Sequence, residues 1–114
     1  MKKFMAMYMA PAATIAEMMK ATPEQMKTGM DDWMKWSDAH QKEIVELGAP
    51  LGKTKRVTTS GMSDTKNEIT GYSIVQGDSF DSVAKIFKGH PHLSMPGTTI
   101  DLLECIDMSA MVPA

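Results

Sequence analysis

The chain has 114 residues, a length suited to one domain, and it balances 12 Lys and Arg against 14 Asp and Glu for a net charge of −2. That balance argues against a nucleic-acid partner, because phosphate is held by clustered cations and only Lys53, Lys55 and Arg56 cluster here. The single cysteine, Cys105, excludes an internal disulfide and points to a reducing, cytoplasmic setting; no apolar run reaches the ~18 residues of a membrane span, so no membrane partner is expected.

Lys2 and Lys3 ahead of an apolar stretch loosely imitate a secretory leader, but Pro11 interrupts it. Residues 3–9 read instead as a strand, with Phe4, Ala6 and Tyr8 on one face and Met5, Met7 and Met9 on the other. A strand apolar on both faces is covered on both and belongs in the middle of its sheet. A connector with a short helical turn over 14–20 follows. Thr22-Pro23-Glu24-Gln25 then carries the signature of a capped helix start.

That helix is expected to run to Leu47, where Gly48, Ala49 and Pro50 end it. Its inward stripe is Met26, Met30, Trp33, Ile44 and Leu47, with Ser37 and His40 on the same line and Trp36 beside it. Residues 52–59, rich in Lys and Thr, suit a polar edge strand. A turn-rich connection over 60–67 leads into a strand at 68–76. Asp78 or Ser79 caps a second helix with Phe80, Val83, Ala84 and Phe87 inward, and Gly89 closes it. His90-Pro91-His92-Leu93 is a loop, 98–106 a last strand with Cys105 buried, and the tail from Ser109 is loose. Residues 1–108 therefore form the domain and 109–114 a flexible tail.

The order β-α-β-β-α-β predicts an α+β fold of ferredoxin-like type. Right-handed crossovers give an antiparallel four-stranded sheet in the order 4-1-3-2 with both helices on one face. The other face needs a cover, and a symmetric partner is the simplest one. Either the methionine set or the Phe4–Tyr8 set would then line a homodimer.

Three stretches carry a family likeness: Trp33 and Trp36 on a helix that leads to Gly48; Ser60-Gly61-Met62 followed by Asp64-Thr65-Lys66-Asn67-Glu68 and Gly71-Tyr72; and His90-Pro91-His92-Leu93 followed by Gly97 and Ile100-Asp101-Leu102-Leu103-Glu104. Together they resemble the YCII-related, or DGPF-domain, proteins over nearly the whole chain. The resemblance implies a dimeric α/β-barrel of ferredoxin-like halves, and a fold-level kinship to cofactor-free monooxygenases and dehydrochlorinases. In one branch of the family a His and an Asp near the helix–sheet cleft are the proposed catalytic pair. This chain has His90 at the aspartate position and Ser37 near the histidine position, and Ser60 stands for the first residue of the DGPF motif.

The chemistry-bearing candidates are His40, His90 and His92, since imidazole exchanges protons near neutral pH. Trp33, Trp36, Tyr72 and Met62 are the candidate walls of an aromatic pocket. His90 and His92 flank a proline and would diverge in an extended loop, so no metal site is expected; nor do Met5, Met7 and Met9 make one with a His or Cys. No phosphate-cradling loop, serine elbow or dinucleotide fingerprint is present, so no cofactor is expected. The function these residues favour is a small cofactor-free enzyme doing histidine acid–base chemistry, of lyase or dehydrochlorinase type, on a small organic molecule. The alternatives are a non-catalytic ligand-binding or accessory module and a cofactor-free monooxygenase.

Overall fold

The computed structural model describes residues 1–111 and is a mixed α and β fold around an antiparallel sheet. In chain order its elements are β1 (Lys2–Met9), α1 (Ala12–Met18), α2 (Pro23–Ala39), β2 (Ile44–Pro50), β3 (Thr54–Thr58), β4 (Gly61–Thr65), β5 (Ile69–Gly77), α3 (Phe80–Ile86) and β6 (Thr99–Cys105), with 3-10 turns at Pro91–Ser94 and Met108–Ala110. Part of the expected loose tail is thus a turn, and residues 112–114 lie outside the described residues.

The main sheet runs β2-β5-β1-β6, with β1 central as its two apolar faces require. Register sorts the side chains. Phe4 sits opposite Val75, Ala6 opposite Ser73 and Leu102, and Tyr8 opposite Gly71 and Ile100. This face meets Trp36 of α2 and Val83, Ile86 and Phe87 around α3, and together they make the buried core. The opposite face carries Met5, Met7 and Met9, with Ile74, Tyr72 and Leu103 across from them. Among the described residues no helix covers that face; the three methionines are half-buried and Leu103 is exposed.

The expected long helix is shorter than its pattern. Thr22 caps α2 through a complete capping box with Gln25, as read from the sequence. The helix then stops at Ala39 with His40 as its C-cap. Ile44 and Leu47, placed on the helical stripe, instead belong to β2 and pack onto the core from the sheet. The β-branched pair Ile44-Val45 favours the extended state. Gly48 then adopts φ +83° in an irregular stretch of the β2–β5 ladder, where a Cβ would run into the carbonyl of Tyr72. Met26 and Met30, also on the expected stripe, are exposed.

The expected edge strand at 52–59 is not part of the main sheet. Thr54–Thr58 and Gly61–Thr65 pair only with each other, as a separate hairpin turned at Thr59-Ser60. The sheet's second strand is Ile44–Pro50 instead. Two smaller expectations also fail. Phe80 and Ala84 are exposed, although the Phe80 ring still rests edge-on against Phe4 at 4.7 Å. Cys105 is exposed on the open face of the edge strand β6 rather than buried.

Candidate functional site

The chain segments that converge at one end of the sheet enclose an apolar pocket of about 330 Å³. Tyr8 of β1, Leu47 to Pro50 of β2 and Thr70 to Tyr72 of β5 supply its sheet side. Met30, Trp33 and Met34 come from α2, Met18 from α1, and His92 and Met95 from the turn after α3. None of the lining residues is Lys, Arg, Asp or Glu.

Short polar links hold these walls. Thr14 of α1 donates to the Pro96 carbonyl at 2.7 Å, tying α1 to the Met95 segment. The Tyr8 hydroxyl lies 2.8 Å from Ser73 Oγ, which in turn donates to the Leu47 carbonyl at 2.6 Å, so the Tyr8 hydroxyl is the donor to Ser73. That chain of bonds staples β1, β5 and β2 across the floor. Burial pushes the Tyr8 hydroxyl up to about 12, with the Ser73 bond opposing the shift.

The two histidines of the turn play different parts. Pro91–Ser94 is a 3-10 turn rather than an extended loop, so the flanking imidazoles do not simply diverge. His92 is buried and lines the pocket. Its Nε2 lies 2.8 Å from the Met9 carbonyl, which can only accept, so Nε2 carries a proton and Nδ1 is the basic atom of the neutral tautomer. His90 Nδ1 accepts the backbone N–H of His92 at 3.0 Å and so holds the turn in place. Its Nε2 must then be protonated, and this nitrogen is buried with no hydrogen-bond partner among the described residues.

Aromatic rings enclose His90. Tyr8 stacks on it at 5.2 Å, and Trp33 at 4.5 Å and Trp36 at 4.4 Å stand steeply inclined to it, a geometry in which an N–H can rest on a π face. Burial, then the neighbouring charges of His92 and His40, push its pKa down to about 4. His90 is therefore a neutral imidazole at physiological pH. It caps the turn that follows it and does not act as a cation on the helix before it.

The other candidates are dispersed. Trp36 lies in the core behind the pocket, with its Nε1 donating to the Ile86 carbonyl at 2.7 Å. His40 is half-buried at the end of α2, 5.5 Å from the Trp36 ring, and does not line the pocket. Tyr72 borders it along β5, but its side chain belongs to the opposite face of the sheet with Met7 and Ile74, where its hydroxyl donates to Glu46 at 2.9 Å, an interaction that raises its pKa. Met62 stands on the hairpin, is 71% exposed and does not line the pocket. The structure thus gathers Trp33, Tyr72 and His92 at the pocket, with His90 and Trp36 directly behind. Sequence reasoning missed Tyr8, Met18, Met30, Met34 and Met95 as walls; the recurrence of Met on α2 four residues apart was the available signal. Among the described residues no group of three His, Cys, Asp or Glu is placed to hold a metal ion.

No family model matches the chain, and no curated protein matches it. Among solved structures it is similar to 5-chloro-2-hydroxyhydroquinone dehydrochlorinase from Burkholderia phenoliruptrix AC1100 in complex with 2,5-dihydroxybenzoquinone. The identity is 13%, the match covers 89% of this chain and 91% of that one, and the TM-score is 0.47. A likeness of that strength assigns neither activity nor substrate.

Proposed function

We propose that this chain is a ferredoxin-like, YCII-like domain that pairs through its open sheet face into a dimeric α/β-barrel, and that its pocket binds a small organic molecule on which His92 acts as the acid–base group. The observation that carries the reading is the tautomer of His92. A pocket-lining imidazole whose Nε2–H is spent on the Met9 carbonyl presents Nδ1 as its basic atom. His90 is a positioning residue, since its Nδ1 holds the His92 backbone N–H. Trp33 bounds the ligand space on the helix side, and the β5 strand at Tyr72 borders it on the sheet side. His40 and Trp36 belong to the support behind the site, and Met62 to the hairpin.

The dimer reading is supported by the sheet order β2-β5-β1-β6 and by the band of Met5, Met7, Met9, Ile74 and Leu103 that no helix covers. Among the described residues no helix is long and apolar enough to cross a membrane.

Proton transfer is tested by incubating the protein in D₂O with a panel of small cyclic ketones and watching their acidic C–H signals by NMR. Wild-type protein is expected to wash deuterium into at least one of them, and His92→Gln, still folded by circular dichroism, to lose that exchange. Exchange that survives in His92→Gln rejects His92 as the base. The second reading, a non-catalytic binding module, is favoured by the internal bonds that occupy the Tyr8 and Thr70 hydroxyls. It predicts binding without exchange.

A further inference from the structure

We infer that the pocket is built for an uncharged ring ligand of one or two fused rings and discriminates against organic anions of the same shape. This rests on reading the pocket as a ligand site, and it adds the class of ligand. The first ground is what the wall lacks. With no cationic side chain on it, an entering carboxylate or phosphate loses its water and meets no counter-ion, and the loss goes uncompensated.

The second ground is that most side-chain donors of the wall are already committed, which leaves the Trp33 indole N–H as an uncharged exception among the described residues. Tyr8 donates to Ser73 at 2.8 Å, Thr70 to the Tyr8 carbonyl at 2.9 Å and His92 Nε2 to the Met9 carbonyl at 2.8 Å. What the wall keeps for a ligand is neutral: the Trp33 indole N–H as a donor and His92 Nδ1 as an acceptor, neither of which supplies the counter-charge an anion needs.

The third ground is what the wall offers. Four thioethers, Met18, Met30, Met34 and Met95, reach it from three segments and join the ring of Trp33. Unbranched thioethers adapt to ligand outline, and sulfur against a ring edge is a favourable contact. The pocket volume of 330 Å³ lies at the small end of the ~300–1,000 Å³ that ligand pockets span, which suits one ring or a fused pair and not a lipid chain.

The test uses two probes of one shape that differ in charge, 1-naphthamide and 1-naphthoate, titrated into the full chain at pH 7.5 and followed by calorimetry and by the NMR shifts of the Trp33 indole and His92. The amide is expected to bind and to move both signals, and the naphthoate to bind at least ~100-fold more weakly. Met34→Lys, at an exposed position of α2, places a cation at the wall and should narrow that ratio to about tenfold or less. Naphthoate binding as tight as the amide, or a ratio unmoved by Met34→Lys, overturns the ligand class and leaves the pocket standing. Failure of both probes to shift Trp33 and His92 in folded protein overturns the pocket reading itself, and the inference with it.

Discussion

At the scale of single residues, His90 sets a pH limit on the fold. Its pKa is about 4 in the folded chain against an ordinary value of 6.5. Above pH 6.5 the ring is neutral folded or unfolded, and its contribution is fully present. As pH falls from 6.5 towards 4 the unfolded chain takes up a proton that the folded chain refuses, so stability drops through that window by up to about 3 kcal/mol and levels off below it. Urea melts across pH 4 to 7 should show this slope, and His90→Asn should flatten it. The Tyr8–Ser73–Leu47 chain gives a second measurable effect. Tyr8→Phe removes one hydroxyl and should cost about 1 kcal/mol in urea melts; Ser73→Ala leaves the Tyr8 hydroxyl and the Leu47 carbonyl without their bonds and should cost more.

At the scale of elements, Gly48→Ala is expected to be among the most damaging single changes, at more than about 2 kcal/mol. Its φ of +83° disfavours any Cβ, and the Tyr72 backbone occupies the space. A lowered thermal midpoint with β2–β5 amides exchanging first would show it. What could be read from the chain beforehand divides on physical lines. The central strand was legible because Phe4 to Met9 alternate without interruption, and the start of α2 because Thr22-Pro23-Glu24-Gln25 satisfies its own end. The strand Ile44–Pro50 was not, since Ile44 and Leu47 fall on the spacing of the helix before them and no glycine marks the stop at His40. Only pairing with β5, a long-range effect, decides that segment. The site was legible in its types, a tryptophan helix and a His-Pro-His turn. The division of labour within it was not, because which imidazole faces the pocket depends on carbonyls and amides that become neighbours only after folding.

At the scale of the whole molecule, the uncovered methionine face yields a sharp expectation. Met7 sits opposite Tyr72 on one side and Asp101 on the other, at the middle of that face. Met7→Glu should turn a dimer into a monomer in sedimentation velocity while leaving the circular dichroism spectrum intact; a wild-type chain that sediments as a monomer removes the dimer proposal. The β3–β4 hairpin has a different consequence. It is a ribbon of two strands with Val57 and Met62 side by side and exposed, and it shares no ladder with the main sheet. A lone pair of strands in water holds together only weakly. Limited proteolysis should therefore cut between Lys53 and Lys66 long before the rest of the chain yields, and the two fragments should stay together, because the strands on either side of the cut, β2 and β5, remain zipped to each other.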